Sequence, residues 1–201
     1  MAACDHNLLF DQNCRRCAAL VASRRRIVHG YGNLQSGIVF VGEAPGRHGA
    51  DRTGIPFDGD KSGRVLQRML AELGLLREHN GQRSFACFLT NTVRCCPPNN
   101  RTPLPREIAA CAAWLDQELA LLAPRIVVPI GRIALREIGL RMLGCDPGPI
   151  RPAHARPIAT PTCTIVPLVH PARISHLQIG AFLDAMRAVL AAQAGSNAYQ
   201  E

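Results

Sequence analysis

Four short apolar runs punctuate the chain, at residues 38–41, 85–90, 126–130 and 164–169. Each is rich in β-branched or aromatic side chains and too short for an independent helix, which predicts buried strands. Between them the apolar spacing changes. Over residues 62–75, Val65, Leu66, Met69, Leu70 and Leu73 recur on one stripe, which predicts a helix. In Pro105–Leu122 the residues Ile108, Cys111, Leu115, Leu119 and Leu122 do the same, and Pro105 suits a first helical turn. Residues 131–140 predict a shorter helix, and residues 175–192 a final one capped by Ser175.

Alternating strands and helices predict an α/β fold, a three-layer α/β/α sandwich around a central parallel sheet of about four strands. Right-handed crossovers follow from strand twist. Ligands of such sheets bind beyond the carboxyl ends of the strands, so the loops after the first, second and fourth strands are the places to search. The proline- and glycine-dense stretch 145–162 is expected to be a surface connection, and residues 193–201 a frayed tail. A length of 201 residues suits one domain covering 1–201.

Composition narrows the setting. Hydrophobic residues make up 47% of the chain. MAACDHNLLF has no basic start followed by an apolar run, and no window reaches the roughly 18 apolar residues of a membrane span. A cytoplasmic protein with no membrane partner is expected. The formal net charge is +8, carried by arginine with very few lysines. Arginine's planar fork suits phosphate, which points to a polyanionic partner as readily as to a generally basic surface. The nine cysteines are an odd number, and a reducing compartment disfavours disulfides, so metal or redox chemistry is indicated.

The strand-end loops carry the candidate chemistry. The first strand runs into Gly42-Glu43-Ala44-Pro45-Gly46, a tight turn that brings backbone amides to a ligand. It lacks both the GK[ST] ending of a Walker loop and the GxGxxG spacing of a dinucleotide fold. With acids at Glu43 and Asp60 and an aromatic at Phe57, it suits a base pocket better. Asn91, at the end of the second strand, offers a donor and an acceptor to a nucleobase edge. The fourth strand ends in His170-Pro171-Ala172-Arg173-Ile174, a histidine on a rigid turn followed by a cation and an apolar tip.

GEAPG, LTNTVRCCPPNNRTP and VHPARIS, in that order and spacing, resemble the motifs of uracil-DNA glycosylases across about residues 14–174. GEAPG is similar to family 4, the iron–sulfur type, whereas HGADRTGIPFDGD is closer to family 5, which usually has leucine where Glu43 stands. The chain is thus a hybrid of the two. Ala44 replaces the aspartate of the family 1 motif GQDPY, and Asn91 is not followed by the histidine-bearing insertion of cross-linking relatives.

Cys14-x2-Cys17, Cys95 and Cys111 have a spacing that alone suits iron–sulfur or zinc equally. The resemblance implies a 4Fe-4S cluster that ties down the arm 1–36. Cys96 competes with Cys95, and the resemblance favours Cys95. A thioredoxin-like CxxC is disfavoured, because this one precedes any βαβ unit. Cys4, Cys87, Cys96, Cys145 and Cys163 have no motif partner, and Cys87 reads as a small buried strand residue.

The resemblance further implies a monofunctional hydrolase that releases uracil from single- or double-stranded DNA and initiates base excision repair, acting as a monomer. A stacked base must be extruded first. Ile174 is the expected wedge, unless it packs within its own domain, and Arg173 the phosphate contact. Phe57 would stack on the base or pack in the core, with Asn91 reading the base edge near Gly42. His170 would donate to uracil O2 or serve structure alone. Of the rival carboxylates, Asp60 is favoured slightly over Glu43 for positioning water. The alternatives are a uracil- or abasic-DNA binding protein with weak turnover, a glycosylase acting on hypoxanthine or xanthine, and a zinc-stabilised nucleotide-binding domain.

Overall fold

The computed structural model describes residues 13–197. Its main sheet has six strands in the order β1-β5-β2-β6-β8-β7. These are β1 (Tyr31–Gly32), β2 (Ile38–Gly42), β5 (Phe88–Asn91), β6 (Ile126–Pro129), β7 (Ile158–Ala159) and β8 (Thr164–Ile165). The four central strands, β5, β2, β6 and β8, are mutually parallel, and β1 and β7 border them antiparallel. A separate hairpin pairs β3 (Leu76–His79) with β4 (Gln82–Phe85).

Alternation along β2 explains the layering. Ile38 and Phe40 join Leu66, Met69, Leu70, Phe182 and Met186 on one face. Val39 and Val41 join Leu115, Leu119 and Ile138 on the other. The first face is covered by α3 (Lys61–Glu72) and α7 (His176–Asn197), the second by α4 (Pro105–Leu122) and α5 (Arg132–Met142). With both faces buried, the strands read as continuous apolar runs.

The predicted second strand divides. Phe85 ends β4, packing edge-to-face on Tyr31, and the sheet strand begins only at Phe88. The predicted fourth strand shortens to Thr164–Ile165 because Pro129 on β6 has no N–H to donate to the Val166 carbonyl, and pairing resumes only at the bridge between Ile130 and Leu168. The chain still follows β6, with the Leu168 N–H donating to the Pro129 carbonyl at 2.9 Å. The surface connection contains α6 (Ile150–Ala153) and β7. Where a frayed tail is expected, α7 runs on to Asn197, and Gln193 Nε2 donates to the Arg125 carbonyl at 2.9 Å. The start of α7 is fixed reciprocally, Ser175 Oγ accepting from the Gln178 N–H and Gln178 Oε1 from the Ser175 N–H.

Two short helices complete the frame, α1 (Ala18–Ser23) in the N-terminal arm and α2 (Ala50–Thr53) after β2. The arm is pinned by its backbone. The Val28 N–H donates to the Arg94 carbonyl at 2.8 Å, and the Arg25 N–H to Asp51 Oδ1 at 2.9 Å. Asp51 is fully buried, so this bond joins the arm to the loop after β2. Cys4 lies outside the described residues. No helix among the described residues is long and apolar enough to cross a membrane.

Candidate active site

The carboxyl ends of the parallel strands open onto one cleft of about 610 Å³. Glu43 enters it from the turn after β2, Asn91 from the end of β5, Gly131 after β6 and His170 after β8. Phe57 and Asp60 enter from the approach to α3, and Arg173 from the turn Pro171–Arg173.

Gly42 forms the base beneath Asn91 and Phe57. Its backbone pairs in register with Asn91, and its carbonyl accepts from Thr92 Oγ1 at 3.0 Å. A β-carbon on Gly42 would overlap Asn91 Oδ1 and lie 2.5 Å from Phe57 Cζ. The amide and the ring therefore meet over a position that only hydrogen can occupy. Asn91 itself is buried, so its orientation is set by packing.

Phe57 has φ 55°, a left-handed conformation costing a side-chain-bearing residue about 1–2 kcal/mol. Its surroundings hold it there. Gln67 Nε2 donates to the Phe57 carbonyl at 2.9 Å, and Gly63 leaves room for that carbonyl where a β-carbon would collide. Beside it Asp58 accepts from Arg83 Nη1 at 2.7 Å and from Gln67 Nε2 at 3.3 Å. Burial alone would raise the Asp58 carboxyl, but these bonds and the Arg83 charge bring it below its ordinary value. Phe57 also packs against the core, so packing and display in the cleft coexist in one side chain.

His170 Nδ1 accepts from the Ala172 N–H at 3.3 Å. Burial lowers its pKa, the Arg173 charge lowers it further, and Asp60 opposes both. A neutral imidazole with Nδ1 accepting carries its proton on Nε2, which makes it a donor. Asp60 caps α3, its Oδ1 accepting from the Gly63 N–H at 2.8 Å. Its Oδ2 sits against Gly46 and Gly49, where β-carbons would come within 2.9 Å and 2.6 Å. Burial raises the Glu43 pKa, against a hydrogen bond with Thr102 and the charge of Arg173. Two carboxylates and a histidine thus share one cleft.

Cys14, Cys17, Cys95 and Cys111 line a second, smaller cavity, together with Arg24, Arg94 and Trp114. Arg24 Nη1 donates to Cys95 Sγ at 3.2 Å, and the Arg94 N–H to Cys111 Sγ at 3.4 Å. Burial pushes the Cys111 thiol up to about 11. Arg16 stacks on Trp114 at 4.8 Å from the ring centroid. Cys96 is not part of this cavity, and its Sγ lies 3.9 Å from Asn100 Oδ1. Among the described residues no three His, Cys, Asp or Glu side chains form a compact group that could hold one metal ion. Every described cysteine is a free thiol.

Of the residues predicted to meet the base or the DNA, Gly42 and Ile174 do not line the cleft. Ile174 is half-buried and packs against the core, the second of its two expectations. Leu177, three residues later, is 88% exposed and precedes Gln178 on the cleft wall. Sequence spacing hides it, since an apolar residue in a helical turn resembles a core position. Arg132 and Arg151, which carried no motif, also line the cleft, as does Arg101, which lies within LTNTVRCCPPNNRTP but was assigned no role there. Arg101 is held by both Glu107 oxygens, at 2.8 Å and 2.7 Å.

The family model of the uracil DNA glycosylase superfamily matches residues 29–192. A type-5 uracil-DNA glycosylase of Thermus thermophilus is 40% identical over 147 residues, covering 62% of this chain and 67% of the relative. A type-4 uracil-DNA glycosylase of Archaeoglobus fulgidus is 41% identical over 126 residues, covering 63% and 58%. One from Thermotoga maritima, also type 4, is 40% identical over 129 residues, covering 63% and 62%. The chain spans about three-fifths to two-thirds of the length of these curated relatives.

Proposed function

The chain belongs to the uracil-DNA glycosylase superfamily, and from that premise we propose that it hydrolyses the N-glycosidic bond of uracil in DNA. The observation that carries this reading is the convergence of Asn91, Phe57, His170 and two carboxylates on one cleft.

The extruded base enters over Gly42 and stacks on Phe57. The Asn91 amide donates to uracil O4 and accepts from N3–H, whereas cytosine presents the reverse pattern. The mismatch would leave buried groups unpaired, at about 1–3 kcal/mol each. As the C1′–N1 bond breaks, its electron pair moves into the base and negative charge gathers on O2. His170 Nε2–H donates to O2, a contribution of roughly 3 kcal/mol for a well-placed donor. The carboxylates face the cationic sugar. Water adds to C1′, and its proton leaves through Asp60, with Glu43 as the rival acceptor. Among the described residues lining the cleft none is a lysine that could form a Schiff base, and the reaction in this reading is monofunctional.

On the cleft wall, Arg173 contacts a flanking phosphate. Leu177, rather than the half-buried Ile174, fills the gap left in the duplex, since a side chain must be free of its own core to enter the stack.

Cys14, Cys17, Cys95 and Cys111 hold a 4Fe-4S cluster in this reading. Their common cavity and the N–H donors aimed at two of the sulfurs fit thiolate ligation. When bound, the cluster supplies a cross-link between the arm, the loop after β5 and α4. The protein acts as a cytoplasmic monomer in the same proposal.

The test is base release from single- and double-stranded DNA carrying uracil, hypoxanthine or xanthine, alongside DNA affinity. Uracil release supports the proposal. DNA bound tightly without release of any base would make the chain a binding module, and release of purines alone would redefine the substrate.

A further inference from the structure

Arg24, at the carboxyl end of α1, reaches two segments that bear proposed cluster ligands. Its Nη1 donates to Cys95 Sγ at 3.2 Å and its Nη2 to the Cys14 backbone carbonyl at 2.9 Å. Cys95 lies 71 residues away in the chain, and Cys14 lies 10 away. One planar fork therefore bridges the arm to the loop that follows Asn91. A guanidinium is suited to this, because its two donors are fixed relative to each other and its charge is permanent.

We propose that Arg24 is a positioning residue for the iron–sulfur cluster, holding the Cys14 arm against the Cys95 loop and raising the cluster's affinity for an electron. The inference rests on the cofactor reading above. Its physical basis is twofold. A donor and a positive charge beside a ligand sulfur stabilise the more negative, reduced state of the cluster. A two-point bridge also resists the separation of segments that must part before iron can leave. The neighbouring residue extends the connection, since the Arg25 N–H binds buried Asp51 behind the loop that carries Glu43 and Gly46. Arg24 thus joins the cysteine cavity to the frame of the cleft without touching substrate.

The experiment compares iron-loaded wild type with Arg24→Met and Arg24→Lys. The readouts are iron content, the midpoint potential from a redox titration, and the rate at which a chelator bleaches the visible absorbance. Arg24→Met should give a more negative potential and about tenfold faster bleaching. Arg24→Lys keeps the charge but not the fork, so its potential should stay near wild type while bleaching accelerates. Wild-type potential and bleaching in Arg24→Met would overturn the proposal. If that variant does not load iron, Arg24→Lys decides, and bleaching at the wild-type rate overturns it. Wild type purified without iron and unable to take it up would sink the cofactor reading itself, a result distinct from any change among the variants.

Discussion

Gly42 lies directly beneath the side-chain amide of Asn91, with no room for a β-carbon between them. The paired backbones of β2 and β5 fix this relationship, so relief must come from the Asn91 amide or from the Phe57 ring that meets it. Both are the groups proposed to hold the base. Gly42→Ala should therefore lower single-turnover excision about 100-fold, since displacements near 1 Å at a positioned group have that effect. The mutant should still bind undamaged DNA like wild type. Wild-type excision by Gly42→Ala would show that the amide and ring do not read the base.

The two carboxylates separate by charge and by stability. Asp60→Asn keeps a good helix cap but removes the charge, so stability should change by less than about 0.5 kcal/mol. If Asp60 handles the proton of the attacking water, the rate should fall about 100-fold or more. Glu43 gives a different stability result. Burial raises its folded pKa above the ordinary 4.5, so its charged form is penalised by folding as pH rises through that raised value. Glu43→Gln should then be more stable than wild type at pH 7, with the gain vanishing below pH 4.5. Urea midpoints across this range check the sign, and a gain that grows on acidification would refute it. Equal and mild rate losses in both variants would leave the pair as loop scaffolding.

Much of this site is legible in sequence because parallel strands bring their carboxyl ends to one place. The strands at Ile38 and Ile126 are continuous apolar runs and the one at Phe88 begins as one, and the residues at their ends fall into the cleft without any knowledge of distances. The edge strands were not legible. Tyr31–Gly32 and Ile158–Ala159 are two residues long and have no periodicity to detect. Burial of single side chains was equally hidden, since Ile174 and Leu177 are both apolar residues near a helix start. Only the packing of α7 against the sheet shows that Ile174 is engaged and Leu177 is not. The Arg24 bridge depends on a contact over 71 residues, which no local pattern encodes.

His170 should act as a neutral donor, and this fixes a pH profile. Burial and Arg173 hold its folded pKa below the ordinary 6.5. Excision should stay level from pH 8 down to 6.5 as far as His170 is concerned, then decline as protonation removes the Nδ1 acceptor and charges the ring. Folding follows the same linkage. Above pH 6.5 both states are neutral and the histidine contributes no difference. Between 6.5 and the folded value the unfolded chain binds the proton first, so stability is lost as pH falls. His170→Asn should abolish that loss, which paired denaturation at pH 7.5 and 5.5 would detect. An activity midpoint above 6.5 in wild type would contradict a lowered folded pKa.

Duplex and single-stranded substrates distinguish Leu177 from Ile174. A base in a duplex leaves a gap that closes unless something fills it, whereas an extruded base in a single strand leaves none. Leu177 is 88% exposed, so truncation removes no core contact and should leave stability within about 0.5 kcal/mol. Leu177→Ala should then lower excision about tenfold on duplex DNA while sparing single strands. A fluorescent base analogue opposite the uracil should report less unstacking in the complex. Ile174 packs against the same cluster as Phe182 and Leu183, so Ile174→Ala should cost about 1–3 kcal/mol of stability. Any rate loss in that variant should affect both substrates alike. The reverse pattern, with Ile174→Ala selectively impaired on duplex DNA and Leu177→Ala unaffected, would mean that the turn after His170 opens on DNA binding and frees Ile174 from the core.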